Sequence, residues 1–380
     1  MSRLWSNEVM AAGFVPPPYP YDRLDGLKGV ASGLPGGLVD LSIGTPCDPP
    51  PPAAVAALAA SGAERGYPPS IGSPALREAA AAWLERRLGA SVGPGAIGAC
   101  IGTKELVAGM PQWLRLRDPS RDTVLYPAIS YPTYEMGAIL AGCRAVPVPV
   151  DEGWRIDLDA IDESDAARAL CLWVNTPGNP AGGLDDLGAA AAWGRERRVP
   201  VLSDECYAEF TWDGPPRTIL AHGSEGVLAV HSLSKRSNLA GVRAGFYAGD
   251  ADLVHYLQEV RKHAGFMLPG PVQAAAVVAL GDDAHVDAQR ERYRHRLERL
   301  AGAVAGAYDI DVMLPGGAFY LWIAAPGGDA WAFAARLAEE AGALVSPGDF
   351  YGAAGAGHVR IAVVQPDDRI ELIIERLAAR

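Results

Sequence analysis

Two textures of apolar residues alternate along the chain. Short apolar runs, TVLYP at 123–127, CLWVN at 171–175, PVLSDE at 200–205 and VLAVHS at 227–232, each end in polar or Gly/Pro residues. Continuous apolar runs of this length suit strands buried on both faces, as in a parallel sheet. Between them, Thr103 to Leu116, Pro132 to Ala141 and Leu184 to Arg197 carry apolar residues at helical spacing. The alternation predicts an α/β core with ligands at the carboxyl ends of its strands.

Beyond residue 285 the texture changes to a long Arg-rich helix, HVDAQRERYRHRLERLAGAVAGAY, then strand-like GAFYLWI, helical WAFAARLAEEAG and strand-like HVRIAV. These segments predict a smaller α+β unit, 285–380 joined by 1–45, beside a large unit over 46–284. The Pro cluster DPPPPAAV at 48–55 reads as the crossover between them, since Pro favours extended or helix-starting backbone. No internal repeat is visible.

Composition narrows the partners. A chain with 49% hydrophobic and 21% charged residues buries a core and is not largely disordered. Its net charge of −12 repels nucleic-acid phosphates and anionic membranes, which leaves a small-molecule substrate as the expectation. Cys47, Cys100, Cys143, Cys171 and Cys206 include no C-x-x-C pair, which argues against a disulfide framework or a zinc site. No His falls at metal-ligand spacing. The N-terminus lacks the basic start and continuous apolar run of a signal peptide, and no later run is long enough for a membrane span, so a cytoplasmic protein is expected.

Lys is scarce, standing only at 28, 104, 235 and 262, yet the stretch His231 to Gly245, HSLSKRSNLAGVRAG, uses Lys at 235 and Arg at 243. A Lys amine loses its proton in an apolar pocket and then condenses with an aldehyde, whereas a guanidinium stays protonated. Arg243 offers a rigid fork for phosphate oxygens, and Ser232 flanks Lys235 after an apolar run. One residue for an imine and one for a phosphate is the chemistry this spacing allows.

The string SLSKRSNLAGVRAG resembles the pyridoxal-phosphate attachment motif of the class I/II aminotransferases. The resemblance implies fold type I, with a mostly parallel central sheet flanked by helices in a large domain and a smaller α+β domain. It implies that Lys235 joins the pyridoxal 5'-phosphate aldehyde and later shuttles a proton, with Ser232 and Arg243 on the phosphate. The cofactor works as an electron sink only while its ring nitrogen stays protonated, so a carboxylate is needed there, and Asp204 in SDECY fits. Tyr207, and Asn179 in NTPGNPAGG, would donate to the ring's phenolic oxygen. Ala181 stands where the family often has Thr, which removes a loop hydroxyl but leaves Asn179 in place. Gly102, Thr103 and Lys104 precede a helix whose free N–H groups attract the phosphate. Tyr131 is the implied plate on the ring, and Tyr134 reads as packing. Tyr67 would reach the neighbouring subunit's phosphate, which implies a homodimer with shared active sites. Arg360 on HVRIAV, with Gly44 in SIGTP and Asn179, would take the substrate α-carboxylate.

Further strings, among them IGTKELVAGMP, GYPPSIGSPALREA and RKHAGFMLPGPVQAA, resemble the actinobacterial type of N-succinyl-L,L-diaminopimelate aminotransferase within this family. The implied reaction exchanges an amino group between that compound and 2-oxoglutarate by ping-pong kinetics. Lys104 is the candidate for a distal carboxylate; it could equally pair with Glu105 or cap the helix. Alternatives are a related aminotransferase using aspartate or an aromatic amino acid, a decarboxylase, lyase or oxidase on the same fold, or a metabolite-sensing regulator, which would need a basic DNA-binding extension.

Overall fold

The computed structural model describes residues 14–379; residues 1–13, part of the expected smaller unit, and Arg380 lie outside the described residues. Its strands in chain order are β1 (Val39–Asp40), β2 (Ile97–Cys100), β3 (Thr123–Pro127), β4 (Arg144–Val148), β5 (Ala169–Asn175), β6 (Val201–Asp204), β7 (Val227–Ser232), β8 (Gly245–Gly249), β9 (Tyr320–Ala324), β10 (Ala343–Leu344), β11 (Ser346–Pro347) and β12 (His358–Ala362). Seven of them form one sheet in the order β2-β8-β7-β6-β5-β3-β4. The four apolar runs are β3, β5, β6 and β7, and neighbours among them pair in parallel. Only β8 runs against its neighbours β7 and β2.

Every residue of β5, β6 and β7 is buried, because helices cover both faces of the sheet. Side chains alternate between two cores with period two. Leu172, Val174, Val201 and Ala229 pack to one side, and Cys171, Trp173, Leu202, Leu228 and Val230 to the other. Local chemistry sets the helix starts. Helix Pro74–Leu88 opens with Ser73 accepting the Leu76 N–H at 3.2 Å and closes on Gly89 at φ 67°. A cap of that kind is worth about 1 kcal/mol. The helix expected from Leu184 begins instead at Leu187, because Asp186 caps the Ala189 N–H at 2.9 Å. Asp185 turns inward and accepts from the Thr176 hydroxyl and the Ile156 N–H, both at 2.9 Å.

The C-terminal segments form an antiparallel sheet, β11-β12-β9, while β1 from the N-terminal side pairs in parallel with β10. Helices Ala284–Tyr308 and Ala330–Ala341 bury Leu297, Leu300, Phe333 and Leu337 against β9 and β12. The Pro run is extended at Pro51 and starts a helix at Pro52. Just before it, Asp48 takes both Arg296 Nη atoms, at 2.6 and 2.9 Å, which fastens the crossover to the long helix. No helix among the described residues is long and apolar enough to cross a membrane.

This topology brings several chain ends to one edge. Asn175 pairs with Asp204 at the ends of β5 and β6, while Ser232 and Cys100, ending β7 and β2, both face Gly245. Chemistry-bearing residues that follow each strand are thus delivered to the same place.

Candidate active site

A cavity of about 400 Å³ opens at that edge and gathers every predicted site residue except Gly102 and Tyr67. Gly102 lies at its rim, at φ 71°, where an added Cβ would sit 2.1 Å from Arg243 Nη2. Glycine there lets the guanidinium lie against the turn. Tyr67 is 97% exposed and stands apart from the cavity in the single chain.

Lys235 sits in the short helix Leu233–Arg236 that follows β7 directly, and Ser232 begins that helix by accepting the Ser234 N–H at 3.1 Å. Its neighbour Arg236 is locked on the opposite side, bonded to Glu209 and to the Ala279 carbonyl and lying over Trp83, which fixes the direction of Lys235. The Lys235 Nζ donates to the Gly44 carbonyl. Although the side chain borders the open cavity, protein surrounds its amine, and burial lowers the pKa to about 8, helped by the charges of Arg360 and Arg243. A neutral amine is therefore within reach near neutral pH.

Asp204 accepts the Cys206 N–H on Oδ1 at 3.2 Å and the Tyr134 hydroxyl on Oδ2 at 2.9 Å. Burial pushes its carboxyl up, and these bonds together with the Lys235 charge pull it back. The expectation that Tyr134 serves as packing is corrected in part. Its ring does stack on Trp173 at 5.1 Å, but its hydroxyl holds the carboxylate.

Ser232, Thr103 and Arg243 line one corner of the cavity. Helix Thr103–Arg117 starts here, and its first-turn N–H groups have no intrahelical acceptor. Arg243 uses Nη1 on the Ala240 carbonyl at 2.8 Å. The corner thus offers a helix N-terminus, a hydroxyl and a guanidinium to an anion.

Across the cavity, Arg360 projects from β12 and is 2% exposed. It donates to Asn179 Oδ1 at 2.7 Å, to the Ser42 carbonyl and to the Tyr21 hydroxyl at 3.4 Å, and lies over the rings of Tyr320 at 4.2 Å and Tyr351 at 4.8 Å. No carboxylate pairs with it among the described residues, so a ligand carboxylate would supply the missing countercharge. Lys104 does not pair with Glu105, because Glu105 accepts both Arg261 Nη atoms at 2.7 and 3.0 Å and the Ile101 N–H at 2.8 Å. Its amine instead stands over the rings of Tyr19 at 5.3 Å and Tyr131 at 5.8 Å.

Tyr207 meets Tyr320 hydroxyl to hydroxyl at 2.7 Å. The sequence reading did not identify Tyr320, Tyr19, Tyr21, Ser234, Asn175 or Cys206 as lining residues. Asn175, Cys206 and Ser234 lie inside the strings NTPGNPAGG, SDECY and SLSKRSNLAGVRAG, whereas for the tyrosines only the repeated Tyr in PYPYDRL and the polar hydroxyl inside GAFYLWI gave a signal.

These residues fit pyridoxal phosphate. A depressed Lys amine, a buried carboxylate with hydrogen-bond support and an anion corner share one cavity, and Gly102 and Gly44 leave room where a Cβ would collide with Arg243 or with the Tyr320 hydroxyl.

The sequence profile of the family Aminotransferase class I and II matches residues 37–377. The chain is 45% identical over 369 residues to 4-dedimethylamino-4-oxo-anhydrotetracycline transaminase OxyQ of Streptomyces rimosus, covering 95% of this chain and 99% of that protein. It is 44% identical over 372 residues to a probable aminotransferase of Mycobacterium tuberculosis, covering 95% and 85% respectively. Among solved structures, a probable N-succinyldiaminopimelate aminotransferase from Thermus thermophilus superimposes with a TM-score of 0.85 at 32% identity, over 95% of this chain and 100% of that one.

Proposed function

Because the chain belongs to the class I and II aminotransferases, which depend on pyridoxal phosphate, we propose that it exchanges an amino group between N-succinyl-L,L-diaminopimelate and 2-oxoglutarate. The observation that carries this reading is the pair of cations on one cavity: Arg360 buried beside Asn179, and Lys104 near the Tyr19 and Tyr131 rings. Both substrates carry an α-carboxylate and a distal one, so each cation has a partner in either half-reaction.

When bound, the cofactor supplies an aldehyde for the amino group and a cationic ring that stores the electron pair left by a departing proton. Lys235 is the residue that would hold the aldehyde, Asp204 the ring nitrogen and Tyr207 the phenolic oxygen. Ser232, Arg243, Gly102 and the backbone N–H groups of Thr103 and Lys104 would surround the phosphate, which leaves the Lys104 amine for the distal carboxylate, and Tyr131 would cover the ring. Arg360, Asn179 and Gly44 orient the substrate α-carboxylate, which points the α-hydrogen at Lys235 Nζ. Neutral Lys235 then takes that proton and returns it, a general-base role suited to a pKa of about 8.

In this reading residues 46–284 form the cofactor domain, and residues 1–45 with 285–380 the smaller domain. The enzyme works in the cytoplasm as a homodimer in which exposed Tyr67 completes a partner's phosphate site.

A second reading, amination of a 4-oxo-anhydrotetracycline-like ring ketone, is favoured by the 45% identity to OxyQ and by the aromatic surface of Tyr19 and Tyr131 beside the cavity. One assay separates the two. Purified holoenzyme mixed with N-succinyl-L,L-diaminopimelate converts to the amino form of its cofactor, seen by absorbance, and 2-oxoglutarate restores it. If that amine leaves the spectrum unchanged while aspartate, an aromatic amino acid or glutamate converts it, the first reading is wrong. A glutamate-loaded enzyme discharged by the ring ketone alone would establish the second.

A further inference from the structure

Tyr320 opens β9, and its partner in register is Ala362, two residues beyond Arg360 on β12. Residues two apart on a strand share a face, so Tyr320 and Arg360 are diagonal neighbours on the same side of the small sheet. The guanidinium carbon stands 4.2 Å from the centre of the Tyr320 ring, within cation–π range, and both side chains are buried. The Tyr320 hydroxyl then reaches 2.7 Å to that of Tyr207, whose ring meets Tyr320 edge-on at 5.6 Å. An added Cβ on Gly44 would stand 2.1 Å from this hydroxyl, and the Gly44 carbonyl accepts from Lys235. Tyr320 therefore touches the carboxylate-binding arginine with its face and the Tyr207 hydroxyl with its edge.

A phenol carries one proton. If Tyr207 spends its proton on the cofactor's phenolic oxygen, the 2.7 Å contact is filled only when Tyr320 donates to Tyr207. We infer that Tyr320 is a positioning residue: it orients the Tyr207 proton toward the cofactor oxygen and links that bond to the charge state of the Arg360 site. This inference rests on the role proposed above for Tyr207. A cation against the Tyr320 ring makes its hydroxyl a better donor. A carboxylate bound to Arg360 offsets that cation, and the Tyr320 to Tyr207 to cofactor chain weakens with it. Burial pushes both phenols up, and the Arg360 charge pulls each of them back, so the two hydroxyls respond to the same cation. The charged and titratable groups facing the pair are Arg360 from β12, Cys206 beside Tyr207, Tyr293 from the helix Ala284–Tyr308, Tyr21 from the N-terminal segment and Tyr131, with Lys235 joined to Gly44.

The test is the absorbance titration of the holoenzyme, whose midpoint reports protonation of the Lys235–cofactor linkage. Hydrogen bonds to the phenolic oxygen lower that midpoint, so their loss raises it. Y207F is expected to raise it by about one unit or more, and Y320F by about half a unit to one, the range of a single neutral hydrogen bond. On the Y207F background, Y320F should add nothing. Succinate, a dicarboxylate probe for Arg360, should raise the wild-type midpoint by more than it raises that of Y320F. Y320F keeps the ring and its packing, and a melting temperature near wild type confirms that it folds. If Y207F moves the midpoint and Y320F does not, Tyr320 has only a packing role. If Y207F leaves the midpoint in place, the role given to Tyr207 fails, and the relay through it fails too. Equal succinate shifts in wild type and Y320F would remove the link to Arg360.

Discussion

On one wall of the cavity, Asp204 ends β6 and Lys235 stands in the short helix just after β7, Asp204 held by the Tyr134 hydroxyl and the Cys206 N–H and Lys235 bonded to the Gly44 carbonyl. On the other, Arg360 is held by the faces of Tyr320 and Tyr351, by a backbone carbonyl and by an amide. Burial acts on both walls with different consequences. It brings Lys235 down to about 8, within reach of a neutral amine, whereas at Asp204 the upward push of burial is opposed by the hydrogen bonds from Cys206 and Tyr134 and by the Lys235 charge. A guanidinium does not lose its proton, and Arg360 keeps its charge without a carboxylate partner. One wall carries an amine that can lose its proton, and the other a guanidinium that cannot.

The comparison breaks most completely at Lys235. K235R keeps a cation but cannot offer a neutral amine, so turnover should fall by about 10⁴-fold or more, and the purified variant should lack the colour of a cofactor held covalently. Colour and activity near wild type would end the proposal. The same residue carries a stability signature in the apoenzyme. Its folded pKa of about 8 lies below the ordinary 10.5, so between those values the unfolded chain binds the extra proton. Stability from this group therefore rises as pH climbs from 8 to 10.5, and below 8 the cost of burying the charge is fully present. K235M should be more stable than wild type at pH 7, and the difference should shrink toward pH 10.5. Parallel curves across that window would show that the amine is not desolvated.

D204N tests whether this wall needs an anion or only a hydrogen-bond acceptor. The amide can still accept from the Cys206 N–H or Tyr134, so folding and cofactor capture should survive. Without the negative charge, turnover should drop by about 10³-fold, measured with any amine that converts the wild type. A loss below tenfold would assign the charge elsewhere.

On the opposite wall, R360K retains the charge but loses the fork that reaches Asn179, Ser42 and Tyr21 together. The expected result is a fall in kcat/KM of about 100-fold, mostly in KM for both amino and oxo acids, because the substrate's oriented contact is lost while the proton-exchanging wall is intact. A change in kcat alone would show that Arg360 belongs to the proton chemistry instead.

The two walls also differed in how well the sequence revealed them. Asp204, Ser232 and Lys235 lie at or just beyond the ends of apolar runs, where an α/β pattern directs ligands, so their convergence followed from the order of the strands. Arg360 was marked by a charge inside an apolar strand. Its surroundings were not marked, because Tyr21, Ser42 and Tyr320 come from three segments far apart in the chain and meet only when β9, β12 and the N-terminal stretch pack together. Spacing along a sequence carries no information about such a meeting. That the helix starts at Leu187 rather than at Leu184 has a local cause: two adjacent Asp residues compete to be the cap, and only tertiary contacts with Thr176 and Ile156 take Asp185 out of contention.

Tyr134 provides the finest probe of the proton-exchanging wall. Its hydroxyl donates to Asp204 Oδ2 at 2.9 Å, and a donor to the ionised form holds a carboxyl pKa down. Y134F removes that donor, leaves the stack on Trp173 in place and keeps the Cys206 N–H on the other oxygen. The carboxyl pKa then rises, so the acid limb of the turnover profile should move to higher pH. Activity at neutral pH should fall by about five- to tenfold, the weight of part of one charge-assisted hydrogen bond. The direction of the limb decides the matter, since a mere packing defect lowers the whole profile without moving it. A limb at the wild-type position would return Tyr134 to the core and leave the charge of Asp204 resting on the Cys206 N–H and on Lys235.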